Sequence, residues 1–343
     1  MSDRIDHGIL DQQWGVRGQS DAEQLRKTLD DALLAEELGY DSYLLGEHHL
    51  AKPAEAFSSR IPWPELVVSH LAALTDSLRI GTGVKVLSLD AAWRTAEMML
   101  TLDLVTGGRA LFGLGAGGDE PEIFRDAAVG ADARRWLFRD RLGELLELLR
   151  SDGRSAFSRE LSPVGDAASL VSRILVAARD DETIALAARE QLGFVMGQAE
   201  PAATSLQYAD RYRAHGGTGE VRLVRIVHVA ATDALALESV TPAYRLYSSY
   251  FLGLRYYQEA VARLYPTPMP VDLADGLDRM CFVVGGPERV ARRLAEEGRA
   301  SGASRIDILV DIPGLSTAQR HESLRLFARE VAPALRPALE RIP

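Results

Sequence analysis

Short apolar runs alternate along this chain with longer stretches whose apolar positions recur at helical spacing. The first run is His7-Gly8-Ile9-Leu10, a short strand. Ser20-Asp21-Ala22-Glu23 follows, a Ser-x-x-Glu box whose two ends satisfy each other's backbone N–H groups, and Leu25, Leu29, Ala32 and Leu33 then mark the apolar face of a helix. Gly39 predicts where that helix stops. Asp41 to Leu45 is the next strand and completes one βαβ unit.

The rhythm repeats. Pro62 and Pro64 flank the start of a helix through Leu66, Val67, His70, Leu71 and Leu74. Strands are predicted at Leu78–Val86, Arg109–Gly115, Ile174–Ala178, Phe194–Met196, Val221–Ala230 and Arg305–Val310, with helices over about 91–105 and 132–150 and again from about Thr317. The polar segment 151–170 reads as a connector. Eight strands alternating with helices at such short intervals predict an α/β fold, a single closed (β/α) eight-stranded TIM-type barrel over residues 1–343. A long helix from Asp233, with Tyr244, Tyr247, Tyr250, Phe251, Tyr256 and Tyr257, reads chiefly as core; residues 265–279, opening on a Pro-rich loop, read as an insertion and lid before the last strand.

In such a barrel function lies at the C-terminal strand ends, and the run Tyr43-Leu44-Leu45-Gly46-Glu47-His48-His49-Leu50 ends there on an acid and two imidazoles. Neighbouring residues on a strand point to opposite faces, so only Glu47 and His49 could share a metal directly, and no further cluster completes a ligand set. Gly113-Leu114-Gly115-Ala116-Gly117-Gly118 has the Gly-x-Gly-x-x-Gly form, but Asp119, Glu120 and Glu122 would meet a pyrophosphate with carboxylates. The glycines fit a turn, or backbone that approaches a bound ring. Arg222 and Arg225 could meet an anion, although surface ion pairs are the commoner fate of such residues.

Composition narrows the class. Hydrophobic residues at 47% and charged residues at 26% are the balance of a globular protein with ample core, and a net charge of −10 argues against a nucleic-acid surface. Cys281 is the single cysteine, so no intramolecular disulfide forms and a reducing cytoplasm is expected. The N-terminus lacks a signal-peptide core, and no window approaches the ~20 apolar residues of a membrane span.

Four blocks in order, Gly39 through His49, Leu78 through Val84, Gly108 through Gly115 and Val284-Gly285-Gly286-Pro287-Glu288, resemble landmarks of the bacterial-luciferase-like flavin monooxygenases. The resemblance implies a barrel with an insertion, reduced FMN at the strand ends supplied by a separate flavin reductase, a small-molecule substrate oxidised with oxygen, and a homodimer packed through its second and third helices. His48 matches the family's active-site acid/base histidine, with Glu47 beside it. Gly83 and Val84 match the site of a non-proline cis peptide beneath the flavin ring. Ala116 falls where FMN members carry an arginine to the flavin phosphate, Asp180 where a serine donates to it, and Thr183 on a phosphate-binding threonine, while the form Gly115-Ala116-Gly117 resembles that of deazaflavin-using relatives. Ala116 and Asp180 depart from the pattern. They leave two alternatives open: a deazaflavin coenzyme with hydride transfer, or a barrel without flavin that serves as a partner subunit or flavin-free enzyme.

Overall fold

The computed structural model describes residues 5–50, 57–59, 61–118, 121–124, 133–151, 160–163, 165–253 and 272–339. The box at Ser20 forms as the spacing predicts: Ser20 Oγ accepts from Glu23 N–H at 3.2 Å and Glu23 Oε2 from Ser20 N–H at 2.7 Å. Helix α1 (Asp21–Leu38) ends on Gly39 in the left-handed region, at φ 79°. Pro64 then opens α2 (Pro64–Ala72), and α3 (Ala92–Thr106) follows the next strand.

Strand β1 (Ile5–Asp11) is followed around a ring by β3 (Tyr40–Leu45), β5 (Arg79–Val86), β6 (Ala110–Gly115), β7 (Ile174–Ala177), β8 (Gly193–Met196), β9 (Val221–Val229) and β11 (Arg305–Leu309). All pair in parallel and β11 returns to β1, so the expected barrel closes. Three short strands were not legible. β2 (Trp14–Val16) and β4 (Phe57–Ser59) form an antiparallel pair, each too short to show a period. β10 (Phe282–Gly285) joins the far end of β9, from Ile226 to Val229, beyond the residues where β8 meets it. Within the segment 265–279, residues 265–271 lie outside the described residues, and Leu273–Arg279 is a helix with Leu277 buried.

Side chains of the barrel strands divide by face. Ile9, Tyr43, Leu45, Ile80, Phe112, Val176 and Ile308 pack outward with the helices, whereas Leu10, Leu44, Leu111, Leu175, Ile226 and Leu309 belong to a second cluster. Trp14, Phe57, Phe282 and the buried Tyr244 and Tyr247 of α8 (Asp233–Gly253) complete that cluster, so the aromatic helix is core where it is described; Tyr256 and Tyr257 lie outside the described residues.

Deeper in the barrel, Asp307 Oδ1 accepts from Gly8 N–H at 3.0 Å and Oδ2 from Arg222 Nη1 at 3.1 Å. Burial opposes the charge on Arg222, but Asp307 and Glu220 outweigh it and raise its pKa. Arg225 donates twice to Glu297, at 2.9 and 3.1 Å. Neither arginine is a surface residue. A parallel strand covered on both faces has no solvated side, so its cations must be paired inside.

Helix α1 departs from its predicted face. It buries Gln24, Thr28, Asp31, Ala32 and Ala35, while Leu25 and Leu33 remain 36% and 38% exposed. The reason is what lies beneath it. Asp11, at the end of β1, accepts from Thr28 Oγ1 at 2.9 Å and Tyr43 OH at 2.7 Å; Asp311, just past β11, pairs with Lys27; and Asp31 accepts from Arg320 Nε at 2.9 Å. Burial, reinforced by the charge of Asp311, pushes the Asp11 carboxyl up to about 7. Burial works on Asp311 too, but Lys27 and the Asp11 hydrogen bond hold it below its ordinary value.

A carboxyl raised on folding contributes stability below the ordinary carboxylate range, and that contribution is lost as pH rises through about 7. Asp11→Asn is therefore expected to be less stable than the parent at pH 5.5, with the gap narrowing by about 1–3 kcal/mol at pH 8.5 in urea melts. A gap independent of pH would contradict the raised carboxyl.

Candidate active site

The polar end of β3 is turned inward by its neighbours. Glu47 is buried; its Oε2 accepts from Val86 N–H, at the end of β5, at 3.0 Å, and its Oε1 accepts from His49 Nε2 at 2.8 Å. The two residues that sequence alternation put on one face do meet. Lys85 Nζ stands 3.8 Å from Glu47, donates to Glu65 Oε1 at 2.8 Å and lies 3.5 Å from Asp90. Burial would lower the pKa of Lys85, but Glu47 and Glu65 outweigh it and raise it, so the ammonium stays charged. Trp63 borders this group, edge-on to His49 at 6.0 Å between ring centres.

His48 faces the other way. Its Nε2 lies 2.6 Å from Gln12 Oε1, which can only accept, so the proton sits on Nε2 and Nδ1 carries the lone pair. Burial pushes the imidazole down to about 4, and the charge of Glu47 only partly opposes it. At neutral pH His48 is thus an uncharged acceptor. Gly46 makes the contact possible, since a Cβ there would stand 2.5 Å from Gln12 Oε1 and 3.2 Å from His48 Nε2. Gln12 was missed in the sequence because its place depends on the β1–β3 register, in which Asp11 pairs with Leu45 and Gln12 comes beside Gly46.

Gly83 and Val84 are joined by a cis peptide, and both keep part of their surface in a strand that is otherwise buried beyond Arg79. Gly115 abuts Val84, because a Cβ on Gly115 would lie 2.7 Å from Val84 Cγ2. A side chain on Gly113 would overlap the Thr82 carbonyl, so this glycine serves the approach of β6 to β5. Ala116, partly exposed, accepts from Ser88 Oγ at 3.0 Å through its carbonyl. Around the end of β5 the structure therefore brings together Glu47, Gly83, Val84, Gly115 and Ala116, with His48 next to Glu47.

Asp180 and Thr183 belong to a separate group at the start of α6 (Asp181–Arg189), past β7. Asp180 caps the helix: its carboxylate accepts from Thr183 N–H at 3.0 Å and from Thr183 Oγ1 at 2.8 Å. Arg139 of α5 (Arg134–Arg150) donates to Asp180 Oδ1 at 3.0 Å and pairs through its other nitrogen with Glu182. Sequence reasoning passed over Arg139 because nothing in a helical arginine announces a partner on another helix.

The donors can be compared with what a flavin mononucleotide needs. Partly exposed Gly83 and Val84, with Gly115 and Ala116 alongside, offer the small apolar surface that a planar ring requires. The phosphate end does not match. The Thr183 N–H and hydroxyl are already satisfied by a carboxylate, and Ala116 carries no donor beyond its backbone.

The sequence profile described as luciferase-like monooxygenase matches residues 8–305. The chain is 26% identical over 370 residues to the 4-hydroxyprotoasukamycin monooxygenase of Streptomyces nodosus subsp. asukaensis, covering 99% of this chain and 95% of that protein. Its fold superposes with a TM-score of 0.80 on the oxygenating constituent of 3,6-diketocamphane monooxygenase from Pseudomonas putida, solved with FMN, at 18% identity over 96% of this chain and 98% of that one. An F420-dependent secondary alcohol dehydrogenase gives 0.70 at 15% identity, over 97% and 99% of the two chains. At such identities the structural likenesses speak for the fold alone.

Proposed function

The chain belongs to the luciferase-like monooxygenase family, and from that membership we propose that it is a flavin-dependent monooxygenase oxidising a small organic substrate at the mouth formed by β3, β5 and β6. The observation that carries this reading is His48, held neutral by burial and oriented by Gln12, just past β3, the strand that pairs with β5, where Gly83 and Val84 keep part of their surface. A reduced flavin on that surface would supply the electrons that activate oxygen. The chain's own part is to orient the substrate against the small residues of β5 and β6 and to offer His48 Nδ1 as a proton acceptor. Glu47, fixed on Val86 and His49, is a positioning residue that sets where the strand end turns. The inward apolar lining of the mouth suits a substrate with a substantial hydrocarbon part.

Reduced flavin would come from a separate reductase, and the cytoplasm suits a chain whose one cysteine is a buried thiol. Among the described residues no helix is long and apolar enough to cross a membrane. A homodimer through α2 and α3 is supported by Trp63, Leu66, Trp93 and Leu104, which are 50%, 69%, 46% and 71% exposed. Sedimentation equilibrium is expected to give a dimer that Leu66→Glu with Leu104→Glu dissociates; a monomeric parent at micromolar concentration would remove this part of the reading.

A second reading, hydride transfer with a deazaflavin coenzyme, draws support from the Gly115-Ala116-Gly117 form, and a third, a flavin-free barrel, from Asp180, whose carboxylate takes up the Thr183 N–H. Anaerobic titration with reduced flavin and with reduced deazaflavin separates them. Saturable flavin binding is expected; binding of the deazaflavin alone would move the assignment to hydride transfer, and binding of neither would leave a flavin-free barrel. His48→Ala is expected to lower turnover by about 10²–10⁴-fold with unchanged circular dichroism. Unaltered turnover would remove His48 from the chemistry.

A further inference from the structure

Helix α6 opens at the C-terminal side of β7, and the first-turn N–H groups of a helix in that position are a natural seat for an anion. This chain fills the seat itself. Asp180 takes up the Thr183 N–H and hydroxyl, and Asp181 and Glu182 add two more carboxylates within the first turn. Among the described residues, the basic side chains that reach this turn face those carboxylates: Arg139 pairs with Asp180 and Glu182, and Arg211 and His215 lie 4.0 and 3.7 Å from Asp181.

The geometry points to a specificity device: Asp180 is an internal counter-anion that makes the chain receive a flavin without a terminal phosphate, of the riboflavin class, in preference to its phosphate monoester. The inference rests on the flavin reading above and concerns the end of the ligand opposite the ring. A phosphate monoester carries close to two negative charges at neutral pH, and here it would meet three carboxylates and no uncommitted first-turn donor at Thr183. A ribityl hydroxyl brings no charge and can donate to the outer lone pairs of Asp180. Asp180 thus selects by holding Arg139 and the Thr183 donors that a phosphate would otherwise take.

The substitution that tests this is gentle on the fold. Serine caps a helix about as well as aspartate, so Asp180→Ser keeps the cap while freeing the Thr183 donors in part and Arg139 in full from Asp180. Equilibrium dialysis against riboflavin and FMN, oxidised and then anaerobically reduced, reads the dissociation constants without relying on turnover. The parent is expected to bind riboflavin at least about threefold more tightly than FMN. Asp180→Ser is expected to tighten FMN by about tenfold or more and to move riboflavin by less than about threefold. Asp180→Asn, which removes the charge and retains a capping oxygen, should move FMN in the same direction. FMN binding more tightly than riboflavin to the parent, or an unchanged ratio in both variants, overturns the inference and leaves the flavin reading standing. Binding of neither flavin to the parent overturns both.

Discussion

The carboxylate of Glu47 is the fixed point of the barrel mouth. One oxygen accepts from Val86 N–H at the end of β5 and the other from His49, while the Lys85 ammonium stands close by. A buried acid with this many partners cannot be relocated cheaply, because removing any one partner leaves a charge without compensation. It therefore decides which way the chain leaves β3. With His49 drawn to Glu47, its neighbour His48 falls toward Gln12 on the adjacent strand end, and Gly46 supplies the space between them. The imidazole that results is neutral for a physical reason: it is desolvated, and its one described hydrogen-bond partner is an amide oxygen with no full charge to offer.

Charge is handled differently on the two sides of the mouth. Near β3 and β5 it is buried and compensated, through Glu47, Glu65 and Asp90 about Lys85, and the same economy appears beneath α1, where Asp11 and Asp311 meet Lys27. At α6 the compensation is turned outward: Asp180 is only half-buried, and it occupies a helix start that would otherwise attract an anion from solution. On one side the charges are buried among their partners; on the other a helix start is held by the chain's own carboxylate. Both follow from where carboxylates were placed relative to backbone N–H groups.

Most of the barrel was legible because alternating short apolar runs and capped helices follow from local rules, as Ser20, Gly39 and Pro64 show. The polar end of β3 was also legible, since a strand that stops on Glu47-His48-His49 has no packing reason to do so. What stayed hidden depended on partners distant in sequence. The apolar face drawn for α1 through Leu25 and Leu33 failed because the surface beneath it carries Asp11 and Asp311, contributed by opposite ends of the chain. Arg222 and Arg225 looked like surface cations because their partners Asp307 and Glu297 come from later elements. The Gln12–His48 bond needed the β1–β3 register, and the Arg139–Asp180 pair needed two helices to be set side by side.

The protonation state of His48 is the direct physical test of the mouth described above. Nitrogen NMR of histidine-labelled protein, assigned with a His48→Gln variant, reads both tautomer and charge across a pH titration. A neutral ring with its proton on Nε2, persisting from pH 8 down toward about 4, is the result expected from burial and the Gln12 bond. An imidazolium at pH 6.5, or a proton resident on Nδ1, would contradict it.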